Sequence, residues 1–508
     1  MSVLGYRKWV LEVTVFVSGA LVMIFEMIGS RVLSPFIGAS TYVWTSLIGV
    51  ILGSLSVGYW FGGRVADRRP DVKILAAVLF AAGGLIAVTI LTKEVVLSTI
   101  AALLTRLELK ALLAAILLFA PASVCFGFVT PFAVRLVVTS VDQTGRTVGR
   151  LYALSTIGSI AGTFAAGFFL IPFVGSVRTL YLIAVMAVGM SLLLVPFAAS
   201  RVTIAALVLL MLAIIASEST AVMLRQTQDL YDLDTEYSHV QVFRTRDPET
   251  GRDIRALATD PYFVQSAAFY DSEELVLEYG RYYHLIRHFK PDLERTLIIG
   301  GAGYSFPKDY LRAYPAAIMD VVEIDPGMTE IARKYFRLKD DPRLKIVHQD
   351  GRIFINHAPA GGYDAVLMDA FGSLFTVPTH LTTVEAVANL RRVLENDGVV
   401  VFNLGSAISG PGSGFLHAEL ATYRSVFPNV YVFKVNRGYP EDRLQNLIIV
   451  ASKAAGKHEL RSADPEIARL LEHRYEVEPD DGPQILTDDL APVEYYNSIA
   501  QNIYLRKR

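Results

Sequence analysis

Cysteine is almost absent from this chain: Cys125 is the only one in 508 residues. That excludes an intramolecular disulfide and any metal cluster built on thiolates. Cys125 itself sits in an apolar run, where a thiol packs as a small hydrophobe rather than acting as a nucleophile. Charge is scarce too. Asp, Glu, Lys and Arg make up 19% of the residues, against about a quarter in ordinary soluble domains. The net charge of −2 gives no reason to expect a nucleic-acid partner. Among the histidines, His284, His288, His348 and His380 show no metal-ligand spacing, so no metal is expected. No cleavable signal peptide is expected either, because the first apolar run is too long for an h-region and no small-residue cleavage site closes it.

Apolar residues are abundant, at 53% of the chain, and mean hydropathy is +0.41. They are unevenly placed. Residues 1–217 are poor in charge, whereas residues 225–508 resemble a soluble domain in composition. Runs long enough to cross a bilayer fall near 10–28, 43–63, 73–92, 110–134, 151–173, 178–198 and 202–217, which predicts about seven spans. Val95–Leu104 is too short to cross alone and reads as interfacial or re-entrant. The expected organisation is a polytopic membrane domain over 1–217, a linker over 218–234, a small β domain over 235–291 and an α/β domain over 292–508.

The basic connections 63-GRVADRRPDVK-73 and Arg135, Arg146 and Arg150 favour the inner face of the membrane. With seven crossings the C-terminal domain would then lie outside. The nucleoside chemistry argued below wants it inside, so the expectation is a cytoplasmic soluble domain. That requires either a hidden eighth crossing near Val95–Leu104 or misleading loop charges.

In the second half, 237-YSHVQVFRTR-246 and 254-IRALAT-259 alternate as strands around the turn 247-DPETGRD-253, and a helix is predicted over 272–289. Apolar strands then alternate with helices from residue 296 to residue 451, which predicts a Rossmann-like parallel sheet covered on both faces. Three strand ends carry chemistry. The first, 297-LIIGGAGYS-305, ends in glycines that let a ligand approach the backbone. About twenty residues on, 321-VVEIDP-326 supplies Glu323 and Asp325, and an acidic residue there takes ribose hydroxyls. Spacing alone leaves NAD, S-adenosylmethionine and related nucleosides open. The second, 349-QDG-351, places Asp350 where a carboxylate accepts from an adenine amino group, or simply closes a turn. The third, 367-LMDAFGS-373, places Asp369 beside the ligand's reactive atom, where it can deprotonate an amine or hold an ammonium; the plain alternative is a helix cap.

Taken in order, 265-QSA-267, 279-YGRYYHL-285, 297-LIIGGAG-303, 321-VVEIDP-326, 350-DGR-352, 364-DAVLMDAFGS-373, 381-LTT-383 and 486-LTDDLAPVE-494 resemble the polyamine aminopropyltransferase (spermidine synthase) family. With 35-PFIGASTYVWTSLIG-49 and 57-VGYWFGGRVADR-68, the whole resembles its membrane-fused members. The resemblance implies a Rossmann-like domain of the class I methyltransferase type behind a small β domain, and decarboxylated S-adenosylmethionine as donor. It implies Glu323 on the ribose, Asp350 on the adenine, with Gly351 beside it, and Gly300, Gly301 and Gly303 as the floor. It implies Gln265, Tyr279 and Tyr282 over the reactive end, and Asp369 as the base that frees the attacking amine.

The chain also departs from that pattern. Soluble synthases have an aspartate in the glycine loop, where this chain has Tyr304 after Gly303, and a second aspartate where it has Gly372. Each lost charge-assisted hydrogen bond is worth about 1.5–3 kcal/mol. The donor fold is expected intact, with a non-standard acceptor and with intact S-adenosylmethionine open as donor. Glu441 and Asp442 are candidate acceptor-site replacements, against a solvated charged turn. Asp488 and Asp489 read as caps. In the membrane half, Glu26 is a functional candidate or an Arg31 salt-bridge partner. Three functions stay open: an aminopropyl-type transferase, a methyltransferase or S-adenosylmethionine-cleaving enzyme, and a transporter or sensor that only binds nucleoside or polyamine. The expected partners are a small amine or a membrane-derived acceptor and the lipid bilayer; a homo-oligomer is open.

Overall fold

The computed structural model describes residues 3–38, 40–104, 106–138, 144–195, 229–259, 263–370, 377–478 and 484–506. The chain forms two compact units, Met1–Thr227 with Asp232–Thr235, and Gln228–Tyr231 with Glu236–Arg508.

The first unit is helical: α1 (Val3–Ile37), α2 (Thr41–Arg68), α3 (Val72–Leu103), α4 (Leu107–Leu118), α5 (Ala120–Gly127), α6 (Val129–Val137), α7 (Thr144–Ala165), a π-helical turn Ala166–Val174 and α8 (Ser176–Leu194). Among the described residues six helices are long and apolar enough to cross a membrane. The predicted run 202–217 lies outside them. Two expectations need correction. Val95–Leu103 is no separate segment but the end of the 32-residue α3, so it supplies no extra crossing. The run 110–134 is broken at Phe119 and Phe128, near Pro121 and Pro131, which lack the N–H that a helix needs. α1 and α7 pack backbone to backbone and run in the same direction. A Cβ on Gly158 would lie 2.0 Å from the Phe16 carbonyl oxygen, and one on Gly162 2.3 Å from that of Ala20, which is why this seam admits only small residues. Arg150 adds an ion pair to Glu12 at 2.8 Å.

In the second half, a short strand β1 (Tyr231–Asp234) falls where the sequence reads as linker. β2 (His239–Arg246), β3 (Asp253–Ala258) and β4 (Ser266–Phe269) form an antiparallel meander. The expected helix over 272–289 is instead a 3₁₀ helix Glu278–Leu285 followed by the single turn α9 (Ile286–Phe289).

The α/β alternation is as the pattern predicts: β5 (Arg295–Ile299), α10 (Ser305–Ala313), β6 (Ile318–Glu323), α11 (Pro326–Tyr335), β7 (Leu344–His348), α12 (Gly351–His357), β8 (Tyr363–Met368), α13 (Val384–Val393), β9 (Leu394–Ser406), α14 (Gly414–Val426), β10 (Asn429–Lys434), β11 (Gln445–Ser452), α15 (Pro465–Leu471), β12 (Arg474–Tyr475) and α16 (Val493–Arg506). The eight-stranded sheet has the order β12-β10-β11-β9-β8-β5-β6-β7. β9-β8-β5-β6-β7 are parallel and the other pairings antiparallel. Strands β5, β8 and β9 are buried almost throughout their apolar runs because helices cover both faces. After β7 the chain returns to the other side of β5. The carboxyl ends of β5 and β8 therefore flank the point where strand order reverses, the place where open α/β sheets bind ligands.

Candidate active site

Gly300 follows β5 with φ +100°, a left-handed backbone that glycine adopts without strain. A Cβ there would lie 2.3 Å from the carbonyl oxygen of Asp369. The glycine is what lets the ends of β5 and β8 close on each other. The loop is also pinned from the next strand. Glu323, 8% exposed at the end of β6, accepts from the Gly301 N–H at 2.8 Å and the Ala302 N–H at 3.2 Å through one oxygen, and from the Asp325 N–H at 2.9 Å through the other. Burial raises the pKa of this carboxyl, against the pull of the three backbone N–H groups.

Tyr304 is held in the left-handed region at φ +53° and is fully buried. Its hydroxyl meets Thr329 Oγ1 at 2.7 Å, and Thr329 in turn meets His348 Nε2 at 2.9 Å. The tyrosine thus fills the interior beneath the loop and offers no group to the cleft above it. Gly303 is tight as well, since a Cβ would lie 2.9 Å from that of Ser266.

A cleft of about 440 Å³ opens above these strand ends, and Gln265, Tyr279, Tyr283, Gly300, Gly301 and Asp369 are among its walls. Asp369 accepts from Asn403 Nδ2 at 3.1 Å. Asn403 Oδ1 accepts in turn from Asn446 Nδ2 at 3.0 Å, which fixes which end of the Asn403 amide faces the carboxylate. The chain of amides crosses from β11 through β9 to β8. Tyr279 and Tyr283 stand over Asp369 with their rings 5.9 Å apart, edge to face. The Tyr279 hydroxyl donates to the Gln265 carbonyl at 3.3 Å, while the buried Tyr283 hydroxyl has no well-aligned partner. Desolvation pushes the Asp369 carboxyl up to about 6, opposed by Asn403, Tyr283 and Tyr279 in that order. A carboxylate poised near neutrality suits a general base.

The structure does not bring all the expected residues together. Tyr282 is corrected. It points away from the cleft, with its hydroxyl 3.1 Å from the Val435 carbonyl and bonded to His473, and Tyr283 takes the place expected of it. Glu441 and Asp442 are corrected as well. Both are exposed and neither lines the cleft; the Glu441 carboxylate accepts from the Tyr475 hydroxyl. Asp325 and Asp350 both serve as helix caps. Asp325 accepts from the Gly327 N–H at 2.9 Å, and Asp350 from the Ile353 N–H at 3.0 Å. The other Asp350 oxygen lies 3.1 Å from His380 Nε2. Both carboxylates are neighbours of Tyr237, so they share one edge of the sheet. Gly351 allows α12 to approach β5, where a Cβ would lie 2.6 Å from Ile299 Cγ2. Asp488 pairs with Arg352 at 2.7 Å and accepts from Thr383 at 2.6 Å, a structural role. Gly372 lies outside the described residues. Among those residues no group of His, Cys, Asp and Glu could hold a metal.

Sequence reasoning missed Tyr283, Asn403 and Asn446. Tyr283 stands four residues after Tyr279, a spacing that would share one face of the α-helix expected over 272–289. Asn403 is a polar residue inside the apolar strand 398-GVVVFNL-404, and a buried amide needs a partner.

The spermine/spermidine synthase domain matches residues 281–440. A polyamine aminopropyltransferase of Vibrio vulnificus (strain CMCP6) is 31% identical over 232 residues, which cover 45% of this chain and 75% of that protein. Polyamine aminopropyltransferase 1 of Streptomyces coelicolor is 24% identical over 442 residues, 80% of this chain and 77% of that protein, a stretch long enough to reach into the helical unit. A solved structure, a probable spermidine synthase from Corynebacterium glutamicum ATCC 13032, is 22% identical with a TM-score of 0.42 and covers 49% of this chain and 94% of that one. With its parallel sheet, its glycine loop and Asp369 at the strand-order reversal, the chain belongs to the polyamine aminopropyltransferase family of transferases.

Proposed function

We propose that the protein is a membrane-bound transferase with a sulfonium nucleoside as donor, decarboxylated S-adenosylmethionine or S-adenosylmethionine itself, and an acceptor other than the diamine of a soluble synthase. The single observation that carries this reading is Asp369. It is the one carboxylate among the walls of the cleft named above, set between two tyrosines and an oriented amide.

A sulfonium makes its neighbouring carbon electrophilic, so the protein has to orient the partners and supply a deprotonated nucleophile. The residues fit a nucleoside. Gly300 and Gly301 bring backbone to the wall of the cleft, where a ligand can meet it. Glu323 keeps lone pairs for ribose hydroxyls beyond those used on the loop, and Asp350 stands at the adjoining strand end. Asp369 then takes the proton of the acceptor amine. Neither Gly303 nor Tyr304 presents a carboxylate to the donor's tail, which favours a tail that carries its own carboxylate, or one held elsewhere. The six long apolar helices support a multi-pass location in the cell membrane, and donor supply supports a cytoplasmic second unit.

Full-length protein incubated with each donor, with and without diamines, tests this by mass spectrometry. We expect release of the demethylated or methylthio nucleoside together with an alkylated product, and little or no spermidine from putrescine. Retention of the donor unchanged in every mixture would overturn the enzyme reading. Efficient spermidine formation would overturn the non-standard acceptor.

A further inference from the structure

Among the described residues that line the cleft, Asp369 is the only one with a charged side chain. Residues 371–376, which follow closely in sequence, contain no ionisable side chain either. Carboxylates on the neighbouring elements are engaged elsewhere. Glu323 holds the glycine loop and the Asp325 N–H through three backbone hydrogen bonds. Asp309 lies 2.7 Å from His284 Nε2 and pairs with Arg312. Glu278 is exposed and neighbours Tyr282 and His473, the pair that points away from the cleft. Leu275, Leu277, Ile298, Phe306 and Pro307 give the cleft an apolar side.

Such walls limit the charge that an acceptor can bring. An acceptor with one ammonium gives one N–H proton to Asp369. Its nitrogen then bonds to the carbon beside sulfur as the C–S bond breaks, the electron pair of that bond stays on sulfur, and the nucleoside leaves as a neutral thioether. The sulfonium, the ammonium and the carboxylate sum to one positive charge before transfer, and the alkylated ammonium carries the same charge after it. A diamine adds a second ammonium that no carboxylate among the described walls meets, and an unpaired charge taken out of water is costly. A methyl group in that place gains instead by leaving water for the apolar side of the cleft.

We propose that the acceptor is a primary monoamine, one ammonium on an uncharged and largely apolar chain, with Asp369 as its single anionic contact. This deepens the transferase reading and rests on it. The measurement below uses no donor and reads binding alone, whereas a failure of the transferase reading shows as donor left unchanged by the enzyme, so the two failures are told apart.

The test titrates the full chain in lipid nanodiscs with pentylamine and with putrescine by calorimetry, at about pH 8, where a carboxyl that titrates at about 6 is ionised. The two amines share four methylenes, and one ends in a methyl where the other ends in a second ammonium. Asp369→Asn in the same nanodiscs measures the uptake of each amine by lipid. Pentylamine should bind at least about tenfold more tightly than putrescine, the lower range for leaving one charged group unpaired, and Asp369→Asn should abolish its binding. Gln265→Glu adds a carboxylate to the cleft wall at constant shape; it should tighten putrescine at least about tenfold and leave pentylamine within about twofold. Putrescine binding as tightly as pentylamine, pentylamine binding that survives Asp369→Asn, or a putrescine affinity unmoved by Gln265→Glu would each overturn the proposal.

Discussion

Replacing Asn403 by leucine removes one hydrogen bond from Asp369 while keeping the branched shape and heavy-atom count of the side chain. The lost contact is the 3.1 Å donation from Nδ2. A hydrogen bond to a charged group is worth about 1.5–3 kcal/mol, and one pKa unit corresponds to 1.36 kcal/mol, which gives a rise of about one to two units. Asp369 keeps some contact with solvent, so screening brings the expectation to the lower end, about one unit. The carboxyl, at about 6 in the native protein, should then titrate near about 7. A carboxylate acts as a base only when ionised, so in the role proposed for Asp369 its contribution is lost as pH falls through its pKa. The acid limb of kcat/KM, which reports the free enzyme, should move up by the same amount. At pH 6 the variant should be slower by about fivefold, as about a tenth of the carboxylate is ionised instead of half; well above pH 8 the two rates should converge. Asn446→Leu, which frees the Asn403 amide to turn, should shift the limb in the same direction by less. The assay is nucleoside release across pH 5–9 with the donor that supports turnover. An acid limb that stays in place, or a loss equal at every pH, would refute the view that this amide sets the charge of Asp369.

Asp369→Asn should lower turnover at least about a hundredfold, the lower range for loss of a general base; single-turnover rates at the wild-type level would remove Asp369 from catalysis. Glu323→Ala should weaken nucleoside binding by about 1.5–3 kcal/mol in calorimetry, and unchanged affinity would end its ribose role. Tyr283→Phe should change the pH profile while Tyr282→Phe leaves it alone and lowers stability by about 0.5–1.5 kcal/mol for its lost hydrogen bonds; the reverse result would restore Tyr282 to the site. A reporter fused after Arg508 should be active only in the cytoplasm, and periplasmic activity would reverse the topology.

The parallel sheet was readable because its strands are buried on both faces and so appear as unbroken apolar runs, as in 297-LIIG-300 and 364-DAVLM-368. Each of those runs ends in a glycine or a carboxylate, which made Gly300, Glu323, Asp350 and Asp369 visible as strand ends before any geometry was known. The tyrosines were less readable. In 279-YGRYYHL-285 two neighbouring rings compete for one position, and the 3₁₀ path of Glu278–Leu285 decides between them. Asn403 and Asn446 are 43 residues apart and meet only because β11 inserts antiparallel beside β9, a pairing that hydrophobic periodicity does not specify. The continuation of α3 through Val95–Leu103 was hidden by Lys93 and Glu94, which interrupt the apolar run but not the helix.

The buried Tyr304 limits how the glycine loop can be changed. An aspartate placed there would inherit a slot shaped for an aromatic ring and walled by the sheet and α11, with its carboxylate facing Thr329 rather than the cleft. Emptying such a slot of an aromatic side chain costs about 3–5 kcal/mol. An aspartate at Gly303 would collide with Ser266. No single substitution at either position gives the loop a carboxylate at the cleft without also remaking its foundations. Giving this loop a carboxylate at the cleft therefore needs coordinated changes at 303, 304 and 266.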